Sequence, residues 1–302
     1  MRTAILTPSY VGDFDRCKLM CETVDRFFTG DWHHYILVER NDIALFSQLA
    51  GPRRTILGED ALFPAWLRSY PDPLARGRRR IWLSPFSRPL RGWHAQQLRL
   101  LAMARHVDAD AFLTIDSDSL VVRPYDPASL WTDGDLRFYR VDNAATTAAS
   151  GHLAWIAHAG NLLGLPRRPD PAHDYVSTFL PWRVDTTRAL LDHIEKTTGK
   201  SWLRAVTSSR DISECMIYGR YVDEVLDGAG HRRTDKSLAH VLWTREAFPE
   251  TAEGLADFTR GIAGHHVGIC IQSFVDHPIE DVRRLAATFY EDDGAQGRAA
   301  VS

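Results

Sequence analysis

Apolar positions in the first third of the chain fall alternately into short unbroken runs and into helical spacing. Thr3-Ala4-Ile5-Leu6-Thr7-Pro8-Ser9-Tyr10 is an apolar strand closing on turn residues. Phe14, Cys17, Cys21, Val24 and Phe28 then recur every three or four positions, which predicts a helix from about Asp13 to Phe28 with one core face. Asp13 and Asp15 sit in its opening turn, where the positive helix end favours them. A strand at Tyr35 to Val38, a helix from Asp42 to about Ala50 and a strand from Arg53 to Leu57 follow. Strand and helix alternating in this way predict a parallel sheet with helical crossovers. From Gly58 to Arg91 the prolines at 64, 71, 73, 85 and 89 interrupt every pattern, and a long irregular loop is expected there. A helix from about Gly92 to His106 then carries Trp93, Gln96, Gln97 and Leu100 towards the next strand.

That strand carries the chemistry. Ala111-Phe112-Leu113-Thr114-Ile115 is an apolar run that delivers Asp116 and Asp118, two residues apart, before Leu120-Val121-Val122 resumes and Pro124 stops it. The pattern is strand, acidic turn, strand. The carboxylates then lie at the carboxyl end of a parallel strand, the edge where ligands bind in open α/β sheets. Two acids in a semi-buried turn repel, and a hard divalent cation with oxygen ligands relieves them while offering open positions to phosphate oxygens. The plainer reading is a turn capped by Asp and Ser, both common turn formers.

Further on, the pattern predicts a strand at Leu136 to Arg140, a polar stretch from Asp142 to Gly151, a helix from Asp185 to Lys196, a strand at Val267 to Ile271 and a closing helix from Pro278 to Tyr290. The tail from 291 to 302 is polar and is expected to be flexible. Asp211 with Glu214 three residues later reads either as a capping box opening a helix or as acid/base chemistry. Asp174, in His173-Asp174-Tyr175, is a further candidate carboxylate. Arg91-Gly92-Trp93-His94 opens a helix that can reach the acidic edge, whereas Gln96 and Gln97 read equally well as exposed helix formers. His240, His265 and His266 are candidate ligands, and His266 directly precedes a strand.

Composition narrows the field. With 302 residues, 44% hydrophobic and 25% charged, the chain is long enough for one α/β domain with a sizeable core. A net charge of -3, with no basic stripe interleaved with exposed aromatics, argues against nucleic-acid binding. The one dense basic run, Arg76-Gly77-Arg78-Arg79-Arg80, is a solvated loop or a contact for an anion. No segment approaches the roughly twenty apolar residues of a membrane helix, and no signal-peptide pattern opens the chain, so a soluble cytoplasmic protein is expected. Cys17, Cys21, Cys215 and Cys270 form no CxxC pair and read as reduced core thiols. GxGxxG and GxxxxGK[ST] loops are absent, which disfavours dinucleotide dehydrogenases and P-loop enzymes.

Taken in order, Thr7-Pro8-Ser9-Tyr10, Tyr35 to Val38, Gly92 to Gln97, Ile115-Asp116-Ser117-Asp118, His173-Asp174-Tyr175 and Ser213-Glu214 through Tyr218-Gly219 resemble the nucleotide-sugar-dependent glycosyltransferases of the A-type (GT-A) fold. More narrowly, the chain resembles an uncharacterised bacterial family of glycosyltransferase-like proteins. The resemblance implies a single Rossmann-like domain over 1–290, with a nucleotide-sugar half at 1–124 and an acceptor half at 125–290. It implies a nucleoside-diphosphate sugar donor, a uridine diphosphate sugar foremost, and a glycan or small-molecule acceptor. Mn²⁺ or Mg²⁺ is expected on Asp118, with Asp116 on metal or ribose and a carboxyl-terminal His, His266 first, as a further ligand. Thr7, Pro8 and Tyr10 are expected to border the nucleotide, with Arg91, Gln97 and Ser117 also at the donor. Glu214, then Asp211 or Asp174, is the candidate base for the acceptor. Two other classes compete: a haloacid dehalogenase-type phosphatase using Asp116 as nucleophile, and a non-catalytic nucleotide-sugar-binding protein. A sugar-1-phosphate nucleotidyltransferase is disfavoured because Pro8 to Asp13 lacks its glycine- and lysine-rich loop.

Overall fold

A computed structural model describes residues 1–75, 79–145, 151–166, 172–244, 251–275 and 277–299, giving only the backbone of Ala252 and 291–299. The amino-terminal alternation forms as expected: β1 (Thr3–Pro8), α1 (Phe14–Phe27), β2 (Trp32–Val38), the short α2 (Ile43–Phe46) and β3 (Arg54–Gly58). There follow β4 (Arg68–Pro71), β5 (Arg80–Ser84), β6 (Ser87–Arg91), α3 (Gly92–Ala102), β7 (Ala111–Thr114) and β8 (Ser119–Val121). The middle of the chain supplies β9 (Trp131–Thr132), β10 (Asp135–Tyr139), β11 (Val141–Ala145), α4 (His152–Leu163), β12 (Ala172–Asp174) and β13 (Leu180–Arg183). Next come α5 (Val184–Thr198), α6 (Trp202–Val206), α7 (Glu214–Arg220), β14 (His231–Thr234) and β15 (Ala239–Leu242), and then α8 (Ala252–Thr259), β16 (Gly268–Ile271) and α9 (Ile279–Ala299).

The central sheet runs β13-β7-β1-β2-β3, parallel throughout except for β13, which pairs antiparallel with β7. The inner strands β1 and β7 are buried on both faces. In β1, Ala4 and Leu6 enter the core under α3, α5 and α7, while Ile5 enters the core under α1. This explains the unbroken apolar runs, since a parallel strand covered on both sides has no reason to alternate. The described residues thus form one mixed α/β domain with helices flanking a mostly parallel sheet.

Three expectations are corrected. The stretch from Gly58 to Arg91 is not an irregular loop but builds the antiparallel sheet β4-β5-β6; its prolines are tolerated because Pro71 and Pro89 lie on the two edge strands and Pro85 in the connecting turn. Arg76, Gly77 and Arg78 of the basic run are outside the described residues. Asp211 does not cap α7: Ser213 does, its hydroxyl accepting from Met216 N–H, so the Asp211–Glu214 capping box does not form. The closing helix continues to Ala299, past the expected end at Tyr290. The polar stretch after Asp142 is described only to Ala145, where it forms β11. Among the described residues, no helix is long and apolar enough to cross a membrane.

Candidate functional site

The apolar run of β7 ends in a turn, Ser119 N–H donating to Asp116 C=O over 3.1 Å, and the chain leaves as β8 in a different sheet. That change of sheet holds Asp116 and Asp118 at the carboxyl edge of the parallel strands. β16 grips the second aspartate: Ile271 N–H donates to its carbonyl, Ser273 N–H to its Oδ2 at 2.7 Å, and the Cys270 thiol to its Oδ1 at 3.3 Å. Asp116 N–H donates to the Thr178 hydroxyl, and Ser117 Oγ–H to Asp13 Oδ2. One ligand atom each from Asp116, Asp118 and Cys270 lie within 4.8 Å of one another.

The electrostatics are lopsided. Burial, then the Asp118 charge, pushes Asp13 up to about 6. Burial, then Asp118 and Glu214, pushes Asp116 up to about 7, and burial pushes Glu214 up to about 7. Asp118 is also raised by burial, against the hydrogen bond from Ser273. Arg16 on α1 acts on Asp13 and Asp118; its Nη2 donates to His277 C=O, and its buried Nη1 has no hydrogen-bond partner among the described residues. Two other acids at the same edge show what a structural role looks like. Glu39, after β2, pairs with Arg80 at 3.0 Å, and Glu59, after β3, pairs with Arg99 at 2.5 Å. Neither Asp116 nor Glu214 has such an arginine partner among the described residues.

The donor set fits a hard divalent cation. Asp116 and Asp118 offer carboxylate oxygens, whereas burial keeps the Cys270 thiol protonated, as the donor to Asp118 that its hydrogen bond makes it. Asp174, Val176 and Ser177 form one wall of a cleft of about 430 Å³ that Tyr139, His152, Ser237, His240 and Trp243 also line.

The expected site residues divide. Asp116, Ser117, Asp118, Tyr10 and Glu214 come together: Tyr10 is half-exposed and feels the charges of Asp13 and Asp118. Gln97 is buried, not exposed, and its Oε1 accepts from Glu214 N–H at 3.1 Å, so it positions the glutamate. Thr7 is fully buried with its hydroxyl bonded to His34, and Pro8 is buried beside it, so neither offers a polar atom to a ligand. Arg91 is exposed at the start of α3, where its N–H donates to His94 Nδ1. Asp174 lines the cleft and accepts from Val176 N–H; Asp211 is exposed and bonded to Ser209, apart from the other acids. The structure does not bring His266 to the aspartates. It stacks on His240 and lies tilted against His265 near Arg123, five residues along the extended chain from Asp118, roughly 16 Å at strand rise. Cys270 takes the place beside Asp118 that a histidine was expected to fill. Asp13, Arg16 and Cys270 were not singled out from the sequence as site residues.

No curated protein matches the chain. A family model matches residues 3–293, and the chain belongs to that family, DUF6492, which is described as of unknown function.

Proposed function

We propose that the chain is a divalent-metal-dependent glycosyltransferase with a GT-A-like arrangement, moving a sugar from a nucleoside-diphosphate donor to a hydroxyl acceptor. The observation that carries the reading is the group of four carboxylates, Asp13, Asp116, Asp118 and Glu214, with the Arg16 cation beside it at the ligand-binding edge of a parallel sheet. Asp116 and Asp118 are the residues that would hold Mn²⁺ or Mg²⁺. When bound, such a cation neutralises charge on a departing diphosphate. The rest falls to side chains. Tyr10 presents an exposed ring at the end of the first strand for the nucleoside, and the Arg16 charge favours the ionised forms of Asp13 and Asp118. Glu214, pushed up to about 7 and fixed through its N–H by Gln97, has the proton affinity a base for an acceptor hydroxyl needs near neutral pH.

A thermal-shift panel of nucleoside diphosphates and their sugars with and without Mn²⁺ tests the reading, uridine diphosphate compounds first. The expected outcome is a Mn²⁺-dependent rise in Tm with one base and release of the diphosphate on turnover; in Asp118→Asn the rise is lost and turnover falls at least about 100-fold. Folded protein that responds to no nucleotide in the presence of Mn²⁺, or an Asp118→Asn variant with full turnover, ends the proposal.

A further inference from the structure

The antiparallel sheet β4-β5-β6 covers the core with one face and leaves the other bare. Trp82 and Leu90 are cross-strand neighbours on the inner face and are 4% and 0% exposed, with Trp82 Nε1–H bonded to Glu59. On the outer face Arg68 stands opposite Leu83, Tyr70 opposite Ile81, and Ile81 opposite Arg91. The solvent face of an antiparallel sheet ordinarily reads polar. Here Leu83 and Tyr70 are 42% and 46% exposed. Phe86, in the β5–β6 turn, is 45% exposed with its ring edge-on to Trp66, and Leu74, in the turn after β4, is 94% exposed.

The same stretch of sequence is strongly basic. Between 63 and 91 the sequence holds seven arginines and one acid, Asp72, in a chain whose total is -3. Arg80 is neutralised by Glu39, but Arg68, Arg79, Arg88, Arg91 and Arg204 have no carboxylate partner among the described residues, and the Arg204 guanidinium lies 4.0 Å from the Phe86 ring centroid.

We infer that this face docks the protein on an anionic lipid bilayer. Unpaired arginines meet phosphate headgroups, Tyr70 and Trp66 suit the interfacial layer, and Leu74, Leu83 and Phe86 enter the acyl boundary. The charge complements any polyanion, but Leu74 and Leu83 offer nothing to nucleic acid, which pairs its charge with stacking rings. An acidic protein would have to cover a face whose most exposed apolar group stands on a turn. The sheet is fixed to the ends of β2 and β3 through Glu39 and Glu59, so the docked face flanks the edge that carries the aspartates.

The test is flotation of the full chain with vesicles of phosphatidylcholine alone and with 30% phosphatidylglycerol, at low and high salt. Binding at least tenfold stronger to the anionic vesicles is expected, weakened by salt. Leu74→Ser/Leu83→Ser/Phe86→Ser, all at exposed positions, should lower it about tenfold, and Arg68→Glu/Arg88→Glu should abolish it, with circular dichroism confirming that both variants fold. Absence of binding at low salt overturns the inference. So does anionic binding that the three serine substitutions leave unchanged, or an equal affinity for heparin that they also leave unchanged, because either outcome marks a general polyanion surface. Vesicle binding is read without nucleotide or Mn²⁺, so its failure is separate from failure of the transferase reading.

Discussion

Cys270 donates its thiol proton to Asp118, and burial holds that thiol well above its ordinary pKa. A protonated thiol is a donor and not a ligand, so the group beside the aspartate is replaceable by a hydroxyl. Cys270→Ser is therefore expected to keep the apparent Mn²⁺ affinity within about threefold, since serine donates in the same place. Isothermal titration with Mn²⁺ and Cd²⁺ checks it: a strong preference for Cd²⁺ that Cys270→Ser removes would mean that a thiolate binds the metal. At this scale the sequence was partly legible. Asp116 and Asp118 stood out because an apolar run on each side pins them to a strand end. Asp13 follows the adjacent parallel strand β1 by five residues, so the convergence of loops at the sheet edge was a signal that could have found it. Cys270 gave none, because only the pairing of Ser119 with Cys270 across β8 and β16 brings it to the acids. His266 failed for the complementary reason: β16 runs antiparallel to β8, so the residue before the strand lies at the far end from Asp118.

Elements whose pattern reflects burial in the core were readable, and those anchored by polar contacts to distant acids were not. β1, β2, β3 and β7 announce themselves as apolar runs, and α1 and α5 as periodicities. The sheet β4-β5-β6 was hidden by its prolines and arginines, because its stability is supplied from outside by the acids after β2 and β3. Glu59 is the clearest case. It accepts from Trp82 Nε1–H and from Arg99, which is 2% exposed and donates further to the carbonyls of Ser9 and Leu37. Arg99→Met is expected to leave Glu59 buried without its cation and to cost about 3 kcal/mol or more in urea unfolding. Burial already raises Glu59 with Arg99 opposing the rise, so the variant's glutamate takes up a proton at higher pH. A loss below about 1 kcal/mol would mean that β4-β5-β6 is held by its apolar face alone.

For the molecule as a whole, the site acids set how stability responds to pH. Asp13, Asp116 and Glu214 are raised from their ordinary values to about 6, about 7 and about 7. The folded chain therefore binds more protons than the unfolded chain between the ordinary carboxyl range and those values, and the stability this confers is lost as pH rises through 6 to 7. His34 acts in the opposite sense. It is fully buried, accepts from Arg54 at Nδ1 and is held well below its ordinary pKa, so its contribution is present above about 6.5 and lost as pH falls below it. His33, His94, His158, His231, His240 and His266 are lowered by burial too and act with His34, so the carboxylates are isolated only by comparing Tm with and without Mn²⁺ at each pH. A bound cation favours the ionised acids and displaces their protons, which costs more at pH 6 than at pH 8. The Mn²⁺-induced rise in Tm should accordingly be larger at pH 8 than at pH 6, and Asp118→Asn should lose most of it at both. A Mn²⁺-induced rise in Tm no larger at pH 8 than at pH 6 would mean that the acids are compensated by neighbours within the chain, and the case for a cation between β7 and β16 would fall with it.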